Sequence, residues 1–271
     1  RAPHHAPPAA RGAGGDLMTR ARALSARATA AAAAGTVAQL AAGITVLLHD
    51  RDTDVAEKAL RRAVALDGRA VPPHRWLAKL LSFVGRHDEA ISEARHAAVL
   101  DPLSMLIRRD LVEVSFMARR YDEALDAAQR LLEVAGSGPD AHLGVAWIFW
   151  MKGDEQRTFD AVYAGFAAAG VAGDVLDGLA RAFGQNRMRS VFRFWANALD
   201  RQATLGQKTL DPLFLYAVLG DHDRAFRFLE VLLRQCHPAL LWIPVCPLFD
   251  GLRADVRYSG LLSQLWAGAR P

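Results

Sequence analysis

Between residues 53 and 135 the apolar positions recur at helical spacing. Leu60, Ala63 and Leu66 form one stripe, Ala90, Ala94 and Ala97 a second, and Ala124, Ala128 and Leu131 a third. Intervals of three and four residues place each set on one face of an α-helix, and such stripes are core-packing faces. Breaks separate the helical stretches. Gly85 and Gly153 can turn the chain without a side-chain penalty, Asp67-Gly68 ends one stretch, and Asp101-Pro102 ends another because proline cannot continue a helix. Asp88 and Asp122 stand where a helix restarts, the end at which an acid suits the helix dipole. The pattern predicts short antiparallel helices and no strands.

The pattern also repeats. Arg-His-Asp-Glu-Ala ends at Ala90 and Arg-Tyr-Asp-Glu-Ala ends at Ala124, 34 residues later. The same step leads back to Ala56 and forward to Thr158, so four units run in phase at 37–70, 71–104, 105–138 and 139–172. The small residues Ala56, Ala90 and Ala124 fall where two helices must approach closely. Leu219-Gly220-Asp221-His222-Asp223-Arg224-Ala225 restates the turn, with Ala225 67 residues after Thr158, one short of two periods. A degenerate unit is therefore expected at 173–205, with a turn at Gly184-Gln185-Asn186-Arg187. A further unit is expected at 206–239 and a capping segment at 240–271.

A 34-residue helix–turn–helix period resembles the tetratricopeptide (TPR) superfamily across about 37–235. The resemblance implies an all-α, right-handed superhelical solenoid of antiparallel helix pairs, with about six repeats plus terminal capping helices. Two stretches carry a narrower resemblance. The run from Asp88 to Leu125 and the closing run from Trp242 to Leu262, with its Pro-Leu-Phe-Asp and Leu-Arg-x-Asp-x-Arg pattern, look like the C-terminal TPR half of certain bacterial proteins. Those proteins are winged-helix transcriptional regulators, class III adenylate cyclases and serine/threonine kinases. In them the output domain lies upstream, so the resemblance implies a partner-binding or sensory role for such a half. This chain carries no winged-helix, cyclase or kinase motif, and Val245-Cys246-Pro247 stands where that closing element usually has an acid before the proline.

Composition narrows the classes further. Hydrophobic residues make up 52% and charged residues 23%, a globular balance. The net charge of +4 is modest, and bases alternate with acids along the helices, which argues against nucleic acid as a partner. Residues 1–16, rich in Pro, Ala, Gly and Arg, read as a flexible linker, and 17–36 as an N-terminal capping helix or partial repeat. The linker composition suggests that the sequence is a piece of a longer polypeptide. Ala28 to Leu48 contains no charge, but its Ala, Thr and Gly offer little transfer free energy. It is expected to be a repeat helix and not a membrane span. Cys236 and Cys246 are expected to be free thiols in a cytoplasmic protein; a bridge between them would point to the periplasm.

No constellation for chemistry stands out. The sequence has no phosphate-binding glycine loop, no HExxH pair and no GxSxG elbow, so no catalytic residue, metal or cofactor is expected. Paired acids such as Asp88-Glu89 and Asp122-Glu123 recur with the repeat, which marks them as structural. The remaining expectation is a binding face. By analogy with the superfamily, the first helix of each pair lines the concave side. The register puts Arg75, Lys79, Ser82 and Phe83 there from the second unit. It adds Arg109, Glu113, Phe116 and Met117 from the third, and Leu143, Trp147, Trp150 and Met151 from the fourth. Aromatic and Met residues flanked by Arg suit a protein or peptide partner, extended or helical. The alternative reading is a small-ligand-sensing C-terminal part of a membrane-linked transcriptional regulator or adenylate cyclase.

Overall fold

A computed structural model describes residues 35–135, 138–201 and 210–267. The expected linker at 1–16 and nearly all of the expected helix at 17–36 lie outside the described residues. Every regular element among those described is helical. They are α1 (Thr36–Thr45, running on into a wider turn Val46–Asp50), α2 (Thr53–Leu66), α3 (Val71–Phe83), α4 (His87–Leu100), α5 (Met105–Met117), α6 (Tyr121–Ala135), α7 (Pro139–Met151), α8 (Glu155–Ala168), α9 (Gly173–Arg201, kinked), α10 (Asp211–Leu219), α11 (His222–Arg234) and α12 (Val256–Ala267). Two 3₁₀ turns, Pro238–Trp242 and Pro247–Leu252, join α11 to α12. No described helix is long and apolar enough to cross a membrane.

Helices pair in sequence, α1 with α2, α3 with α4, α5 with α6 and α7 with α8. First helices also touch first helices of the next pair, α1 with α3 and α3 with α5, which sets them on the inner, concave side of the stack. The starts of α2, α4, α6 and α8 (Thr53, His87, Tyr121 and Glu155) lie 34 residues apart, as do those of α3, α5, α7 and α9. The small residue of each second helix is fully buried: Ala56, Ala90, Ala124, Thr158 and Ala225 are all at 0% exposure. The hydroxyl of Thr158 is accommodated there by donating to the Asp154 carbonyl at 2.7 Å.

The turn inside each pair depends on one residue with positive φ. These are Arg51 (53°), Gly85 (80°), Arg119 (60°), Gly153 (75°), Arg187 (49°) and Gly220 (74°). Glycine takes this conformation freely, whereas an L side chain is strained in it. Three arginines hold it because tertiary contacts compensate. Arg51 donates to the Leu265 carbonyl at 2.6 Å, and Arg119 pairs with Asp250 at 2.7 Å. Arg187 lies over the Phe183 ring at 4.5 Å and 3.4 Å from Glu155. This series also accounts for the degenerate unit. α9 is two helices separated at Asn186 and Arg187, so the turn is cut to two residues and the next unit arrives one residue early.

Acids of the second helices pair with bases from the following turn. Arg86 pairs with Glu57, Arg120 with Asp88, Lys152 with Asp122, Arg187 with Glu155, and Arg257 with Asp223. The recurrence of the acids thus reflects an exposed ladder that fixes register between neighbours. Each exposed pair contributes about 0–1 kcal/mol.

The segment after α11 does more than close the end of the stack. Arg257 and Asp223 are 34 residues apart, so α12 takes the place of a next helix. The two 3₁₀ turns instead fold back across the concave side. Leu240, Leu241, Ile243, Phe249 and Leu252 are at most 2% exposed. Leu241 belongs to the apolar cluster of the first three pairs, and Leu240, Phe249 and Leu252 belong to that of the later pairs.

The turn series predicts opposite effects at two positions. Gly153→Ala adds a Cβ at φ +75° and is expected to cost about 1–2 kcal/mol. Arg187→Gly relieves the strain at φ 49°, ψ −146° at the loss of one exposed ion pair and the ring contact with Phe183, and it should raise the melting temperature. Thermal melts of the two variants should shift in opposite directions.

Candidate functional site

The first helices carry their predicted groove residues to the concave side, where the folded-back segment meets them. On α3, Phe83 is 6% exposed and packs edge-on against Trp242 with ring centroids 4.3 Å apart. Lys79 Nζ lies 5.3 Å from the same indole. Ser82 is fully buried. This part of the concave side is therefore covered by the chain itself. Toward the sixth pair, Phe249 stacks on Phe214 of α10 at 5.6 Å.

Between these two covers lies a cavity of about 650 Å³. Its walls come from α5, α6, α7, α10 and the folded-back segment, including Val112, Phe116, Met117, Trp147, Phe214 and Trp242. A preformed, mainly apolar cavity of this size with a few polar groups is the usual form of a ligand site. Of the predicted groove residues, Arg109, Glu113, Phe116, Met117 and Trp147 line it, whereas Arg75, Lys79, Phe83, Trp150 and Met151 do not.

Trp150 is drawn away by the degenerate pair. In the second half of α9, Val191 holds the place of the buried alanine of the other second helices, and Phe192, 1% exposed, follows it. Trp150 packs edge-on against Phe192 at 4.9 Å. Trp147 stacks on it at 5.4 Å and on Trp195 at 6.2 Å. Trp147 thus has one side in the repeat interface and one in the cavity. Met151 packs on the same apolar cluster, and Leu143 packs against Gly165.

Charge in the site is arranged around Asp110, 2% exposed at the α3–α5 contact. Arg75 Nε donates to its Oδ2. Lys79 Nζ stands 2.9 Å from its Oδ1, off the line of a hydrogen bond, and donates to Glu113 Oε2 at 3.2 Å. Two cations therefore share two carboxylates, so neither Arg75 nor Lys79 is free to meet a ligand. Burial pushes the Glu113 carboxyl above its ordinary value; Lys79 opposes the shift and Asp110 adds to it. Arg109 differs from both. It is exposed, lines the cavity, and forms no hydrogen bond or ion pair among the described residues. Asp140, also exposed on the lining, lies in the first turn of α7, where the helix dipole accounts for an acid.

Sequence reasoning missed the contribution of the closing segment: Trp242, Cys246, Leu248 and Phe249 complete the cavity. The Pro-Leu-Phe-Asp run signalled a closing element, but nothing local indicated that it would turn inward. Neither cysteine is bridged. Cys236 is exposed, while Cys246 is buried and burial pushes its thiol up to about 12. No group of three or more His, Cys, Asp or Glu residues suited to a metal ion occurs among the described residues.

No family model matches the chain, and no curated protein is detectably similar to it in sequence. Solved structures match it in fold. A chain of the APC/C hetero-tetramer Cut9–Hcn1 aligns with a TM-score of 0.54 at 15% identity, over 92% of this chain and 46% of that one. PilF of Pseudomonas aeruginosa aligns with a TM-score of 0.50 at 17% identity, over 89% of this chain and 90% of its own. MamA aligns with a TM-score of 0.50 at 17% identity, over 58% and 90%. Identities this low speak to fold alone, and the fold is a tetratricopeptide-type solenoid.

Two predictions follow from the charges and thiols. An acid whose pKa is raised on folding keeps its proton while the unfolded chain releases it. Glu113 therefore costs stability as pH rises from about 4.5 toward its raised value, and the cost stays level above that. Urea melts of Glu113→Gln and the parent, run at steps from pH 4.5 to 7.5, should show the variant gaining on the parent as pH rises. In the native protein, thiol titration should count one reactive group, Cys236. The second should react only after unfolding.

Proposed function

We propose that this tetratricopeptide-type solenoid is a non-catalytic binding module and that its ligand site is the concave-side cavity. The observation that carries the reading is the convergence of α5, α6, α7, α10 and the folded-back segment on one preformed apolar space, with Arg109 and Asp140 exposed on its lining. Solenoids of this type use their concave side for binding. Here the covers at Phe83 and Phe214 leave no clear run along that side, so the occupant is compact. Together with the resemblance of the closing run to regulatory proteins, this favours the sensory part of a larger regulator.

A protein partner is the second reading. An apolar pocket with charged rim residues is also how an interface receives an anchoring side chain, and binding proteins is the general use of this fold. Such a partner would present a short apolar anchor from a turn or a helix end, not an extended strand.

Gly144 gives a direct test. It lines the cavity from α7, and a Cβ there meets no atom within 4 Å. Gly144→Leu should fill the space and also favour the helix by about 0.8 kcal/mol. A neutral solvatochromic dye should bind the parent at one site and bind the variant at least tenfold more weakly. Unchanged dye binding in a variant at least as stable as the parent would overturn the cavity as the site.

A further inference from the structure

We propose that the cavity takes a small amphiphilic carboxylic acid, its apolar body inside and its carboxylate held at the lining by Arg109. The inference rests on the cavity being the binding site.

Three cationic side chains lie on the concave faces of α3 and α5. Arg75 and Lys79 are committed to Asp110 and Glu113. Arg109 makes no hydrogen bond or ion pair among the described residues; its charge acts on Glu113, four residues on in the same helix. The lining acids are already explained without a ligand. Glu113 accepts from Lys79, and Asp140 sits in the first turn of α7. Arg109 is therefore the lining cation whose donors the fold leaves free. A guanidinium presents a planar fork of donors that matches a carboxylate.

The rest of the lining sets the body of the ligand. Apart from Arg109, Glu113 and Asp140, every lining side chain is apolar or aromatic apart from the thiol of Cys246. Burying a second polar group there would leave it without a partner, at a cost. A ligand with one charged end and an otherwise apolar body meets both conditions. A peptide backbone does not, because its amides would face Phe116, Met117, Trp147 and Phe249. The cavity's 650 Å³ and its closure by Trp242 on one side and Phe249 on the other limit the body to a small molecule.

Decanoic acid and decanol, which share the chain and differ at the head, serve as probes on the full chain below their aggregation limits. Fluorescence of Trp147 and Trp242, both on the lining, and calorimetry report binding. Decanoate should bind at one site about three- to tenfold more tightly than decanol, the range for a charge-assisted contact at a part-exposed site. Arg109→Gln should erase that preference by weakening decanoate and leaving decanol unchanged, and Arg109→Lys should restore part of it. Equal binding of the two probes to the parent, or a preference that survives Arg109→Gln, would overturn the carboxylate assignment while the cavity stands. If neither probe binds and the neutral dye is also insensitive to Gly144→Leu, the site itself fails. Matched melting temperatures of the variants exclude misfolding as the cause.

Discussion

The structure depends on the burial of the closing segment against the inner side of the stack. A helix pair hides one face against its neighbours, but the inner faces of the first helices remain apolar and need cover. Five large side chains between Leu240 and Leu252 provide it. Each contributes about 1.5–3 kcal/mol by leaving water, far more than any exposed ion pair of the ladder outside. Leu241 belongs to one apolar cluster and Leu240, Phe249 and Leu252 to the other, so this segment ties the two clusters together.

This cover also explains why the arginine turns are tolerated. A left-handed backbone at Arg51 and Arg119 would be a defect in an isolated repeat. In the folded chain the strained turns aim their guanidinium groups at Leu265 and Asp250 in the closing region, across 214 and 131 residues. Strain within one pair is thus offset by contacts that exist only once the whole stack has formed.

The same cover decides what the concave side can bind. Of the face that a solenoid usually offers, the portion at Phe83 and Lys79 is taken by Trp242 and the portion at Phe214 by Phe249. What remains is a cavity between them, lined by Arg109, Glu113 and Asp140 and otherwise apolar but for one thiol. The concave surface is thereby narrowed to one half-open pocket.

Much of the architecture was legible in the sequence because it is local and repeated. Helical stripes, the 34-residue step and the buried alanines depend only on helix geometry and on the contact between adjacent units. The assignment of Arg109, Glu113, Phe116, Met117 and Trp147 to the inner side used the same register. The side chains that fill the gaps were not legible. Trp150 packs into the repeat interface because Phe192 of the adjacent, degenerate unit meets it edge-on. Three of the six left-handed turns carry arginine, for which no turn signature exists. The inward fold of residues 238–252 depends on contacts from other units, as near as Phe214 and as far along the chain as Phe83 and Arg119. Periodicity determines which face of each helix is buried; only the tertiary structure decides what buries it, because that partner comes from outside the repeat.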